Sequence, residues 1–222
     1  MCTAIITARL GSKRLKKKNI KSFFGRPVIY YPIRACNKSK IFRKIIVSTE
    51  SKKIAEISKK FKAEIPFLRS KKLSDDKTGT LRVVRNAIKK LKLKPRAVVC
   101  CLYPVTPLTT SKTLKKAYKI FKKSKCSFLF PVIKSVKRNR DSFQLNKKNI
   151  IRRTNKSRNF YNDAGQFYFG TVNNFLTKNS LHYSGSSKGM ILSPGSVVDV
   201  NTNNDWKKLK ELYRRNNIDA QI

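Results

Sequence analysis

The chain has 222 residues, with 53 Lys and Arg against 11 Asp and Glu and a formal net charge of +42. That length suits one sizeable core, a single domain over 1–222, and no apolar stretch approaches the roughly 20 residues that span a bilayer, so no membrane partner is expected. The N-terminal apolar run precedes its charges, the reverse of a secretory leader, and five cysteines without C-x-x-C spacing point to reduced, mostly buried thiols of a cytoplasmic protein rather than to zinc or disulfides.

The first strand is expected over Ala4–Thr7, and it empties directly into Arg9, Leu10, Gly11, Ser12 and Lys13, with Lys16–Lys18 close behind. At the carboxyl end of a strand in an α/β sheet, backbone N–H groups and cations can meet a polyanion such as a nucleoside triphosphate. The spacing matches neither G-x-x-x-x-G-K-[ST] nor G-x-G-x-x-G. In so basic a chain a solvated surface turn has the same composition; it is the position at the strand end that favours phosphate.

Apolar runs at Lys44–Thr49, Ala97–Tyr103 and Ser127–Val132 read as strands buried on both faces of a parallel sheet. Between them, Ile54, Ile57 and Phe61, then Leu81, Val84, Ile88 and Leu91, then Leu114, Ala117, Tyr118 and Phe121 mark helical stripes. Strands alternating with helices imply right-handed crossovers and a three-layer sandwich. Ser74–Asp76 have the chemistry to cap the helix after them. Cys100 and Cys101, as strand neighbours, point to opposite faces.

Residues 134–162 are polar, basic and turn-rich, and short strands near Phe143–Leu145 and Ile150–Arg152 predict a β-hairpin arm standing off the sheet. Strand signals return at Gln166–Gly170, Met190–Leu192 and Val197–Val200. Thr202 and Asp205 are spaced as a capping box for a last helix that buries Trp206, Leu209 and Tyr213. The lysines are spread along nearly every segment rather than gathered on one. They attract RNA and other polyanions at low salt and release them as salt rises.

Five blocks, in order and across nearly the whole chain, carry a more specific signal. They are Ala8-Arg-Leu-Gly-Ser-Lys-Arg-Leu-Lys-Lys-Lys-Asn19, Ile46-Val-Ser-Thr-Glu50, Leu73-Ser-Asp-Asp-Lys-Thr-Gly-Thr80, Asp163-Ala-Gly-Gln-Phe-Tyr-Phe-Gly170 and Val198-Asp-Val-Asn-Thr202. Together they resemble the cytidylyltransferases that activate nonulosonic, sialic-acid-like sugars as CMP conjugates. The Asp-Ala-Gly-Gln-Phe-Tyr and Ser-Asp-Asp-x-Thr-Gly-Thr blocks, with Tyr103-Pro104, look most like the pseudaminic acid branch.

The resemblance implies a Rossmann-like three-layer αβα nucleotidyltransferase of the nucleotide-diphospho-sugar transferase type. Its sheet is mixed and mainly parallel, and a protruding β-hairpin arm, about 134–162, serves a homodimer. It implies transfer of CMP from CTP to the anomeric hydroxyl of an acidic nine-carbon sugar, a displacement that mostly needs positioning and charge neutralisation. Matched by position, Arg9, Leu10, Ser12, Lys13, Lys18 and Asn19 hold the nucleotide, Arg69 helps read cytosine, and Ser74 shapes the same end. Tyr103, Thr106, Gln166 and Tyr168 line the sugar pocket, and Lys13 and Asp199 are the catalytic pair. Mg²⁺ is the implied cofactor, held by Asp199 and by Asn201, which stands where the family's Asp-x-Asp pair has a second carboxylate. Asn brings a carbonyl oxygen without charge, which predicts weaker metal affinity and lowered activity. Glu50 similarly replaces a more usual Asp. The only histidine, His182, falls outside these blocks and is expected in a surface loop, so no histidine-dependent mechanism is foreseen.

Other readings share some of these residues. They are a cytidylyltransferase for legionaminate, N-acetylneuraminate or a 3-deoxy-octulosonate, a weakly active relative, and a basic nucleic-acid-binding α/β protein. CTP-selective, Mg²⁺-enhanced binding separates the first two from the last.

Overall fold

A computed structural model of the chain describes residues 2–135, 138, 141–153 and 159–216. The first half contributes strands β1 (Cys2–Thr7), β2 (Ser22–Phe23), β3 (Arg26–Pro27), β4 (Phe42–Ser48) and β5 (Val98–Leu102). The second contributes β6 (Phe128–Ser135), β7 (Gln144–Leu145), β8 (Ile151–Arg152), β9 (Phe160–Asp163), β10 (Phe167–Thr171) and β11 (Lys188–Ile191). The helices are α1 (Tyr30–Ser39), α2 (Lys52–Lys60), α3 (Thr80–Lys90), α4 (Ser111–Lys123), α5 (Val172–Thr177) and α6 (Asn203–Arg215). The main sheet is seven-stranded in the order β11-β6-β10-β5-β1-β4, with β9 also pairing β6. β1 is parallel to β4 and β5, β11 is parallel to β6, and β10 runs antiparallel between β5 and β6. This is the mixed, mainly parallel three-layer arrangement expected.

Strand alternation sorts the core onto two faces. Ala4, Ile6, Cys100 and Leu102 pack with Ile33 of α1, Ile54 of α2 and Leu114 of α4. Ile5, Val99 and Cys101 pack on the other side with Val84 and Ile88 of α3 and Phe175 of α5. Cys100 and Cys101 therefore do face opposite ways, and all five cysteines are buried and unpaired. Burial pushes the Cys101 thiol up to about 12. A third cluster joins Phe23, Tyr31, Leu108, Val198 and Val200 to Trp206, Leu209 and Tyr213 of α6.

The capping box forms as expected: the Thr202 side chain accepts from Asp205 N–H at 3.2 Å, and Asp205 Oδ2 accepts from Thr202 N–H at 2.7 Å. Hydrogen bonds from Asn201 and Thr202 hold the Asp205 carboxyl below the ordinary carboxylate range. A depressed folded-state value means this support is complete above the usual Asp range and fades as pH falls through the lowered one. Thr202→Ala is expected to lower stability by about 1 kcal/mol at neutral pH, read as a shift in the urea midpoint with an unchanged slope.

Three expectations change. Val197–Val200 is not a strand: it has no ladder partner. Its alternation is real, but Val198 and Val200 point into the α6 cluster instead of a sheet face. Ser74–Asp76 do not cap α3, whose N-cap is Gly79 with no side-chain bond. Asp75 instead closes its own turn, accepting from Lys77 N–H and Thr78 N–H at 3.1 and 2.6 Å. Within the arm, 136–137, 139–140 and 154–158 lie outside the described residues. The described hairpin β7–β8 lies against the sheet rather than standing off it. Phe143 and Ile151 are buried in the second core face, and Ile151 N–H and Gly189 N–H bond across to Ser187 and Asn149.

Candidate functional site

The chain winds from β1 through α1 to β4 on one side, then returns to β5 on the other side of β1. Such a reversal leaves a crevice outside the carboxyl ends of the strands. A cavity of about 560 Å³ opens there. Thr7 and Arg9 reach it from the end of β1, Tyr103 and Pro104 from the end of β5, and Thr80 and Val83 from the start of α3. The segment Val198–Asn201 completes the wall beside Gly165.

The loop after β1 is held by side chains that accept its backbone donors and donate to its carbonyls. Glu50 Oε1 accepts from Leu10 N–H at 2.6 Å, and Asn19 Nδ2 donates to Arg9 O at 2.7 Å. The carboxylate of Glu50 thus spans from Leu10 to Arg69, its other oxygen lying 3.3 Å from Arg69 Nη2. Arg69 is 5% exposed. It also donates to Ser74 Oγ at 2.9 Å, Ser48 O at 3.2 Å and Ala8 O at 3.5 Å. Burial pulls its guanidinium down and the Glu50 carboxylate opposes that shift.

Cations and carboxylates meet across the crevice. Arg9 and Lys13 both pair with Asp76, at 2.5 and 2.8 Å. Lys13 first, then Arg9, hold the Asp76 carboxyl below the ordinary range. Lys18 Nζ donates to Val200 O at 2.5 Å. Burial lowers its ammonium, while Asp199 pulls it back up. Asn201 Nδ2 donates to Asp199 Oδ2 at 2.9 Å.

Of the residues named from sequence, Arg9, Ser12, Lys13, Lys18, Asn19, Arg69, Tyr103, Asp199 and Asn201 all line this one cavity. Leu10 and Ser74 stand just behind it, through the bonds to Glu50 and Arg69. Thr106 is buried and donates to Tyr103 O at 3.0 Å. Gln166 is buried too, accepting from Thr109 at 3.1 Å and donating to Ala164 O at 2.8 Å. Tyr168 lies behind Tyr103, with ring centroids 5.8 Å apart.

Sequence reasoning passed over three participants. Asp76 holds the loop cations; with only 11 acidic residues in the chain, an adjacent Asp pair was a usable signal. Asp163 accepts from Tyr168 OH on Oδ2 and from Gly165 N–H on Oδ1 at 2.8 Å. His182 is not a free surface residue: its Nε2 lies 2.5 Å from Asp163 Oδ2 and its ring packs on Phe130, centroids 5.0 Å apart. No local pattern announces that contact, because it joins residues 19 apart in sequence.

The chain has close relatives. A family model described as Cytidylyltransferase matches residues 3–191. A pseudaminic acid cytidylyltransferase of Campylobacter jejuni is 36% identical, with 97% of each chain covered. A CMP-N,N'-diacetyllegionaminic acid synthase of Legionella pneumophila is 30% identical, with 96% of each covered. Among solved structures, a CMP:2-keto-3-deoxy-manno-octonic acid synthetase complexed with CTP superposes with a TM-score of 0.76 at 10% identity, covering 97% of this chain and all of that one, which shows the shared fold. No helix among the described residues is long and apolar enough to cross a membrane. By sequence over nearly its whole length, the chain belongs to the cytidylyltransferase family.

Proposed function

We propose that the protein transfers CMP from CTP to the anomeric hydroxyl of pseudaminate, releasing pyrophosphate. The observation that carries this is the 36% identity to pseudaminic acid cytidylyltransferase over 97% of both chains. The convergence of Arg9, Lys13 and Lys18 on one crevice with Asp199 supports it. The sugar oxygen forms a bond to the α-phosphorus, the bond from that phosphorus to the pyrophosphate oxygen breaks, and the hydroxyl proton passes to water. Arg9, Ser12, Lys13 and Lys18 hold the triphosphate and neutralise charge as it builds on the departing oxygens. Asp76, which pairs with two of these cations, yields them to the nucleotide. Asn19 and Leu10 shape the loop, and Arg69 with Ser74 forms the base end. Tyr103, Thr106, Gln166 and Tyr168 serve the sugar end. In this reading the enzyme works as a homodimer in a reducing, cytoplasmic setting.

The donor set fits magnesium. Among the described residues no three His, Cys, Asp or Glu side chains gather as a protein-only metal cage. Mg²⁺ usually takes one or two protein oxygens and completes its shell with phosphate and water. Asp199 and the Asn201 carbonyl offer two such hard oxygens next to the loop cations. When bound there, the ion supplies charge neutralisation along the triphosphate.

The test is pyrophosphate release from CTP and Mg²⁺ near physiological salt, with pseudaminic, legionaminic and N-acetylneuraminic acids in parallel. Release with pseudaminate is expected, and release only with another sugar reassigns the substrate. Asn201→Asp is expected to lower the Mg²⁺ concentration needed for half-maximal activity and to tighten Mg²⁺–CTP binding in calorimetry. If neither moves, Asn201 is not at the metal.

A further inference from the structure

Three of the chain's 11 acidic residues, Asp75, Asp76 and Asp199, line the crevice that gathers Arg9, Lys13 and Lys18. A carboxylate in that place repels an incoming polyphosphate, so its presence calls for a reason. Asp76 divides its two oxygens between the cations: Oδ1 pairs with Arg9 Nη1 at 2.5 Å and Oδ2 with Lys13 Nζ at 2.8 Å. One group bridging two cations through two oxygens is also how a phosphate would engage the same pair.

The segment around Asp76 is built to present it. Arg69 Nε donates to Ser74 Oγ at 2.9 Å, and Ser74 Oγ donates to Ser70 O at 3.1 Å. Asp75 Oδ1 accepts from Lys77 N–H and Thr78 N–H at 3.1 and 2.6 Å, closing the turn on which Asp76 stands. The two adjacent carboxylates thus do different things: Asp75 holds backbone, and Asp76 holds cations. The Asp76 side chain is 39% exposed, so its pairs are weak enough to be exchanged for a ligand of greater charge.

We propose that Asp76 is a tethered stand-in for phosphate: it occupies Arg9 and Lys13 in the empty crevice, competes with polyphosphate for them, and returns as pyrophosphate departs. An apparent affinity is lowered by the fraction of protein held in the state that cannot bind. Asp76 therefore loosens both CTP and pyrophosphate and favours release of the product. The part played in product release rests on the proposed transfer; the competition itself does not.

Asp76→Asn is the test, because it removes charge with little change of size. Calorimetry uses inorganic pyrophosphate without sugar, at fixed Mg²⁺ and near-physiological salt. Asp76→Asn is expected to bind it about fivefold more tightly, the scale of two exposed ion pairs that no longer have to be given up. Asp75→Asn removes the same charge from the same wall and keeps its turn, since an Asn oxygen accepts the same two N–H groups. Its pyrophosphate affinity is expected within about twofold of wild type. In a Lys13→Ala background the gain from Asp76→Asn is expected to shrink to about twofold. In turnover, the inhibition constant for pyrophosphate is expected to fall about fivefold in Asp76→Asn, with KM for the sugar within about twofold. Unchanged or weaker pyrophosphate binding by Asp76→Asn overturns the competition. An equal gain in Asp75→Asn overturns it too, by making the effect one of general charge. If the wild type turns over no nonulosonic acid, the transfer reading fails, and the sugar-free titrations still decide whether Asp76 competes.

Discussion

Arg69→Ala is expected to destabilise the chain by about 3–5 kcal/mol, the usual cost of leaving one half of a buried ion pair behind. The guanidinium is 5% exposed and its donors reach Ser48 O, Ala8 O, Ser74 Oγ and Glu50 Oε2. It ties the ends of two neighbouring parallel strands, β1 and β4, to the segment that carries Asp76. Without it, two carbonyls lose a donor, and Glu50 keeps a charge with no cation beside it. Because Glu50 also holds Leu10 N–H at 2.6 Å, the loop after β1 should loosen as well. Denaturant unfolding measures the first effect and CTP affinity the second. Arg69→Lys should recover little of either, since one ammonium cannot reproduce a planar fork with four partners. An alanine variant within about 1 kcal/mol of wild type would mean that this fork is not what joins the strand ends.

Lys13→Ala is expected to do the opposite: leave stability alone and cut kcat/KM by roughly 10²–10³, as loss of one preorganised charge-stabilising group does elsewhere. Its side chain is 85% exposed, and its 2.8 Å pair with Asp76 is a solvated one that contributes little to folding. In the proposed transfer it offers an exposed cation at the mouth of the crevice, placed to follow charge onto the leaving pyrophosphate. Steady-state pyrophosphate release, with a thermal melt of the same sample, separates the two quantities. An unchanged rate would place the triphosphate elsewhere.

Much of this architecture was legible in the residues because the physics that fixed it was local. The strand at the N-terminus and those near 44–49 and 97–103 are continuous apolar runs. The stripes through Ile54, Val84 and Leu114 repeat at helical spacing, and Thr202 with Asp205 is a complete cap within four residues. Helix α1 escaped notice since Tyr-Tyr-Pro opens it and Pro32 reads as a breaker, although a proline in the first turn sacrifices no intrahelical bond. Val197–Val200 misled for the converse reason: an alternating pattern reports burial of every second residue, not a ladder partner. For the site, the cations were visible because they follow a strand end. Their carboxylate partners were less so, since Asp76 meets Arg9 only after the chain has wound through three strands and two helices. His182 and Asp163 lie beyond any window that motif reading uses.

Trp206 is the only tryptophan in the chain. It is buried at the root of α6, edge-on to Phe23 at 5.5 Å, in the same cluster as Val198 and Val200, which flank Asp199. The Lys21 ammonium sits 5.8 Å from its ring. Any ligand that pulls on Asp199 or Asn201 therefore tugs the wall against which a single indole is packed. The chain carries its own optical gauge at that end of the crevice, so filling of the pocket can be followed in unlabelled protein by the colour and brightness of its emission.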